Sequence, residues 1–485
     1  MFTSRLRNLS FLFSASCLLA FQLAAEPVQL PDIGAAGGGT ISPRQERALG
    51  EAFLRSLRQQ VEIIEDPELQ DYLQSLGLRL TASADPQPFE FYFFLINDDA
   101  INAFAAPGGF IGVHSGLFTA AQTESELAGV LAHETAHITQ RHMARSYEAA
   151  GKLSLPTAVA LLGAVLLGTQ NTEAGLAAMM AVQAGSAQYQ IDFTRANEQE
   201  ADRIGMQILV DSGIAPEGMP DFFRRLLQSS RYAGGRPPEF LSTHPVTTNR
   251  IAEAEQRAAG YGAKGVRDRV EFQLAKARLR VITTDNKRRL IEEFKVEPIQ
   301  AGSQNGAQVQ HYGQALALAA TGETQQARNI LQNLVRKDPD RIAYQSALGR
   351  LELSDGNTAK ALKIFSDTLK SYPRNRTLTL DYSRALINAG RASEAVTKLN
   401  QLAQSQNTPD PATYALLAKA ADKAAEPAES HRAMAEYYYL NGQTKAAIEQ
   451  LTLALRTKDL NFYKTSRLEA RLQELRQQVA EEQHH

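Results

Sequence analysis

LAHETAHITQRH, residues 131–142, places His133 and His137 four residues apart with Glu134 directly after the first. On a helix, positions i and i+4 stand one turn apart on one face, so both imidazoles aim at a common point. A single zinc ion per chain suits that point. Glu134 is rotated by about 100° from His133, too far to share its coordination position but near enough to hold a proton from a metal-bound water. With nine histidines in 485 residues, accident would produce this pattern in on the order of one such chain in a hundred. The phrase TESE (Thr123 to Glu126) reads as a capping box, and no Pro or Gly interrupts Val130 to Arg145, so one continuous helix is expected there.

A catalytic zinc needs a third protein ligand and an open fourth position. RANEQEADRIGMQIL (195–209) offers Glu198 and Asp202 on one helical face, with Ala201 and Gly205 beside them to allow close approach. Glu198 is the expected third ligand. Asp202, one turn on, is placed to accept the other ring N–H of a ligand histidine. Glu200 points about 200° away from Glu198 and reads as a surface or structural charge, while His142 lies roughly 140° round from His137 and cannot join the same metal. A structural zinc would be closed by a fourth ligand and would not need Glu134, so the set favours an endopeptidase. The alternative is a chaperone or scaffold with a structural or idle metal site.

In LSTHPVTTNRIAEA (241–254), His244 precedes Pro245 in a loop leading into a helix. Three readings stand: a structural hydrogen bond, an electrophile helping an oxyanion, or a fourth ligand that keeps the site latent. Arg250 reads as stabilising either the oxyanion or that loop.

Upstream, FEFYFFLIND (89–98) and INAFAAPGGFIGVHSGLF (101–118) are rich in aromatic and β-branched residues around a Pro107-Gly108-Gly109 turn. They read as a small sheet with a hairpin, and long helices on either side make an α+β domain. Phe110, Ile111, Gly112, Val113 and His114 are expected to form the edge strand beside the metal, pairing with extended peptide through main-chain bonds. His114 reads as a strand residue near the cleft, not a ligand.

From about 306 the grammar changes. Gly322, Gly356 and Gly390 are 34 residues apart, Ala327, Ala361 and Ala395 follow them by five, and Pro339 and Pro373 keep the same spacing. A period of 34 is the tetratricopeptide period, and about four helical pairs with a capping helix ending near Gln478 are expected. NGQTKAA at Asn441 repeats the turn phrase out of register, with a degenerate unit around Ala412 to Glu429 between. Such stacks form concave surfaces that hold partner segments; Tyr437, Tyr438 and Tyr439 read as packing residues. The expected layout is a signal peptide at 1–25, a zinc metalloprotease domain at 26–260, a helical connector at 261–305 and an all-α repeat solenoid at 306–480.

Composition fits this plan. The chain is 44% hydrophobic and 21% charged with a net charge of −2, which argues against a broad basic surface, so no nucleic acid is expected. Arg5 and Arg7, an apolar stretch and Ala24-Ala25 read as a secretory signal. The only cysteine, Cys17, lies inside it, so no disulfide is expected in the exported protein, and a periplasm is the natural compartment. The apolar stretches 153–170 and 174–185 are too short to span a bilayer; buried helices are the default, and peripheral membrane contact is the sharper option.

HETAH (133–137), EQEAD (198–202), HPVTTNR (244–250) and NAFAAPGGFIGVHSGL (102–117) together resemble the gluzincin family that includes the CaaX prenyl endopeptidases and the mitochondrial inner-membrane stress protease. The resemblance, with the signal in front and the repeats behind, covers the chain essentially end to end. It implies His133, His137 and Glu198 as zinc ligands and Glu134 as base. It also implies unfolded or misassembled outer-membrane β-barrel proteins as clients and the barrel-assembly machinery as partner.

Overall fold

A computed structural model describes residues 42–143, 145, 187–232, 238–262, 264–296, 306–406, 408–458 and 460–483. The expected signal peptide, both apolar stretches between 153 and 185 and most of the expected flexible point at 300–307 lie outside them. No helix among the described residues is long and apolar enough to cross a membrane.

The first half opens with α1 (Pro43–Leu57), started by a reciprocal capping box between Ser42 and Gln45, and α2 (Pro67–Thr81), capped by Asp66. Three strands follow: β1 (Tyr92–Ile96), β2 (Ala103–Ala106) and β3 (Phe110–His114). β2 and β3 form the expected antiparallel hairpin, whose turn at Pro107–Gly109 puts Gly108 at φ 72° and Gly109 at φ 88°. A side chain at either position would be strained. β1 then pairs with β3 in parallel, giving the order β1-β3-β2.

This order corrects one expectation. Phe110, Ile111, Gly112, Val113 and His114 form the central strand, with all five residues buried, and β2 is the edge. The physical reason is that β2 reads AFAA, whose alanines have weak strand propensity, so the apolar run after the turn carries the stronger signal. Small side chains nevertheless suit this edge. Ala103 and Ala105 face the helices with Leu95, Ile111 and Val113, whereas Phe94, Phe104 and Phe110 pack on Phe53 and Leu57 of α1.

α3 (Ser115–Ala120) leads to α4 (Glu124–Thr139), and α5 (Ala187–Asp211), α6 (Gly218–Tyr232), the single turn α7 (Phe240–Thr243) and α8 (Thr248–Tyr261) complete this half. α4 starts where the capping box placed it, with Thr123 as N-cap. Glu126, however, reaches back to the Gln122 N–H and pairs with Arg225. The helix also ends earlier than expected, because Arg141 adopts φ 53°. α4 and α5 cross closely: a Cβ on Gly205 would lie 3.0 Å from His133 N and 3.1 Å from Ala132, so the small residue sets the helix separation.

Two connector helices, α9 (Val270–Thr283) and α10 (Lys287–Val296), share a core with the first repeat helices. The repeat half contains α11 (Gly306–Ala320), α12 (Thr324–Lys337), α13 (Ile342–Ser354), α14 (Thr358–Ser371), α15 (Arg376–Asn388), α16 (Ala392–Ser405), α17 (Pro411–Lys423), α18 (Pro427–Leu440), α19 (Thr444–Ala454) and α20 (Phe462–Gln483). That is one helix more than four pairs and a cap. The turn glycines Gly322, Gly356, Gly390 and Gly442 all have positive φ, and the degenerate unit uses Ala425 at φ 59° in the same role. After each of these five residues, the next N–H bonds to the carbonyl five positions back, at 2.8–2.9 Å, which is the Schellman closure of a helix C-terminus. NGQTKAA falls out of register because α18 closes one such turn and opens the next.

The repeats fold back onto the first half. Arg376 lies 3.1 Å from Asp71 on α2, Tyr312 bonds to Glu68 at 2.8 Å, and Arg278 of the connector holds Asp66 at 2.6 Å. Gln59, just past α1, bonds to the Gly442 carbonyl at 2.7 Å. Tyr439 is held between Arg55 and Arg471, consistent with a packing role for the tyrosine run.

Candidate metal centre

α4 and α5 bring His133, His137 and Glu198 together, and the short segment after α7 adds His244; one ligand atom from each lies within 4.8 Å of the others. His137 Nε2 is 3.1 Å from His133 Nε2 and 3.3 Å from Glu198 Oε1, and His133 Nε2 is 3.4 Å from Glu198 Oε2. Donors at ~2.0–2.1 Å from a tetrahedral zinc stand about 3.3 Å apart, so these spacings fit such an ion. His244 Nδ1 joins at 3.3 Å from His133 Nε2 and 2.9 Å from Glu198 Oε1.

Glu198 is buried, with Oε2 paired to Arg250 Nη1 at 2.9 Å and Oε1 turned to the imidazoles of His137 and His244. A buried carboxylate facing several imidazole nitrogens suits a shared cation among them. Burial would raise the Glu198 carboxyl, but His244, His133 and His137 hold it well below the ordinary carboxylate range. Burial carries His137 down to about 3, leaving its ring neutral and its lone pair available. Burial pulls His133 the same way, yet Asp202 and Glu198 outweigh it and push it up to about 10. The donor set of two imidazoles, one carboxylate and a third imidazole suits a borderline-soft divalent cation.

Asp202 sits where the periodicity placed it, with Oδ1 3.0 Å from His133 Nδ1. Its carboxylate is gripped from behind by Arg250, through Nε at 2.7 Å and Nη2 at 2.8 Å. Arg250 Nη1 bonds to the Pro245 carbonyl at 2.8 Å and lies 2.9 Å from Glu198 Oε2. Arg250 is buried, and these contacts tie its guanidinium to the two carboxylates and to the loop that carries His244.

Glu134 is 1% exposed; among the described residues Oε1 has no hydrogen-bond partner, and it lies 3.5 Å from His244 Nε2. Burial pushes its carboxyl above the ordinary value, against the pull of His244 and His133 and a backbone hydrogen bond from Ala105. The outer edge of β2 thus faces Glu134. Residues alternate in bonding along an antiparallel pair, and His114 N–H bonds to the Asn102 carbonyl at 3.0 Å, so Ala103 and Ala105 turn their backbone groups away from β3. His114 itself is buried against Phe104, with neither ring nitrogen hydrogen-bonded among the described residues, Asp98 Oδ2 3.8 Å from Nδ1, and its imidazole pushed down by burial against the pull of Asp98.

Helical geometry alone missed one neighbour. His142 does not reach the donor set, as expected, but the turn at Arg141 brings its Nδ1 to 2.8 Å from His137 Nδ1. Glu200 is a structural charge: it accepts from His142 Nε2 at 3.2 Å and pairs with Arg145 at 3.0 Å.

Residues 67–258 match the model of Peptidase family M48, and residues 312–373 and 352–420 match models of the tetratricopeptide repeat. The chain is 36% identical over 448 residues to the Beta-barrel assembly-enhancing protease of Escherichia coli (strain K12), covering 92% of this chain and 91% of that one. It is 37% identical over 465 residues to the Putative beta-barrel assembly-enhancing protease of Vibrio cholerae, covering 95% of each. The Mitochondrial metalloendopeptidase OMA1 of Schizosaccharomyces pombe is 28% identical over 186 residues, 38% of this chain and 52% of that protein.

Proposed function

The chain belongs to the beta-barrel assembly-enhancing proteases, metalloendopeptidases of family M48 with tetratricopeptide repeats, and from that premise we propose that it is a zinc endopeptidase and chaperone of the periplasm. In this proposal its clients are misfolded or stalled outer-membrane β-barrel proteins, and the barrel-assembly machinery is its partner. A signal peptide at 1–25 directs export, 26–260 form the protease domain, 261–305 the connector and 306–480 the recruiting repeats. The observation that carries the reading is Glu134, a buried carboxylate whose Oε1 has no hydrogen-bond partner among the described residues, beside a converging donor set.

His133, His137 and Glu198 would hold the zinc, which would supply an acidified water and polarise the scissile carbonyl. Glu134 takes the proton of the attacking water at Oε1 and delivers it to the leaving amine, a task favoured by a carboxyl raised above its ordinary value. Asp202 fixes the His133 tautomer, and Arg250 holds Asp202. Extended client segments pair with the outer edge of β2 around Ala103, beside the Ala105 N–H that Glu134 holds, which gives broad specificity and a preference for unfolded chain.

His244 acts as a latch. Its Nδ1 stands at ligand spacing from His133 and Glu198, which supports a closed resting state opened when the loop withdraws. A scaffold with an idle metal site would have no use for Glu134. Digestion of an unfolded β-barrel protein by wild type and by Glu134→Gln, with zinc measured in both, tests the proposal. Equal cleavage by the two would sink it.

A further inference from the structure

His137 carries a polar contact that the peptidase reaction does not by itself require. His142 Nδ1 lies 2.8 Å from His137 Nδ1, and the two rings stand nearly perpendicular with centroids 4.7 Å apart. That arrangement aims one ring nitrogen at the other and does not stack the rings. His142 is 3% exposed, and its Nε2 lies 3.2 Å from Glu200 Oε2, which Arg145 holds at 3.0 Å.

A ligand imidazole gives one nitrogen to the metal and keeps its proton on the other, so the second nitrogen needs an acceptor. His133 has the Asp202 carboxylate. His137 turns Nε2 toward Glu198, so its proton sits on Nδ1 and His142 Nδ1 is the group that meets it. His142 must then carry its own proton on Nε2, where Glu200 accepts it. Glu200 and Glu198 lie on the same helix, α5, so one helix supplies a donor to the centre and anchors the chain behind another. The turn at Arg141 is what makes this possible, because on a continued helix His142 would face elsewhere.

We propose that His142 and Glu200 are positioning residues for the metal centre, forming a chain from His137 through His142 to Glu200 that sets the tautomer and orientation of His137. The inference rests on the metallopeptidase reading. Its test compares His142→Gln, which keeps an acceptor and a donor at similar reach, with His142→Leu, which keeps bulk and neither. Zinc retention is measured by competition with a chromogenic chelator, alongside the melting temperature of each metal-free protein. His142→Leu should weaken retention about 10–100-fold and His142→Gln should recover most of it, with metal-free melting unchanged between the two. Glu200→Gln, at a half-buried position where folding is not at stake, should weaken retention in the wild-type background and add nothing in the His142→Leu background. Equal retention by the Leu and Gln variants would overturn the proposal, as would additive effects of the two sites. Failure of the peptidase reading would look different: wild-type protein holding its zinc without cleaving peptide.

Discussion

His244 Nδ1 lies 2.9 Å from Glu198 Oε1, although the two residues are 46 positions apart and sit on different elements. On the proposed latch, this contact completes the donor set and holds the centre closed. His244→Ala should therefore raise cleavage of an unfolded client while zinc content stays at one per chain. If the closed form is favoured by even about 1.4 kcal/mol, roughly a tenth of the molecules are open, so the gain is about tenfold. A His244 that acted on the reacting carbonyl would instead leave a dead enzyme on the same substitution.

Glu134→Gln should keep zinc and fold and lose at least ~10²–10⁴-fold in cleavage, because an amide cannot take the water's proton. Zinc by elemental analysis and kcat on one peptide decide it. Loss of metal together with activity would move Glu134 from base to structural support.

The helical periodicity made His133, Glu134, His137, Glu198 and Asp202 legible, because an α-helix ties sequence spacing to direction in space. It stops where the chain leaves the helix. Spacing rightly keeps His142 out of the donor set but does not show its contact with His137, because Arg141 has positive φ and no glycine or proline marks that turn. The sequence points to β3 as the edge because strand order is a non-local property and the alanines of β2 give little strand signal. Arg250 was ambiguous for a related reason: its partners, Asp202 and Glu198, are brought to it by packing of α8 on α5 and not by spacing. The repeat turns were read from glycine; Ala425 plays the same part without one.

Arg250→Leu separates a clamp from a catalytic group. Removing the guanidinium leaves Asp202 and Glu198, both buried, without their counter-charge. The metal-free protein should lose roughly 3–5 kcal/mol of stability, read by chemical denaturation. An arginine acting only on the developing oxyanion would lower kcat and leave that stability unchanged.

The last expectation concerns acid and the seam between the halves. Asp66 caps α2 through Leu69 N at 3.1 Å and is held by Arg278 Nη2 at 2.6 Å. Burial would raise its carboxyl, but Arg278 outweighs burial and holds it well below the ordinary carboxylate range. A folded-state value depressed below the unfolded one means that the ion pair stabilises fully above the unfolded value of about 4 and loses that contribution as pH falls toward the folded value. Asp66→Asn keeps the cap and removes only the charge, since asparagine caps as well as aspartate. The variant should be less stable than wild type by about 3 kcal/mol at pH 7, with the gap narrowing as pH drops from 4 toward 2. Thermal unfolding of both proteins across that range checks it: a gap that stayed constant with pH would mean that the cap and packing, not the charge pair with the connector, account for the role of Asp66.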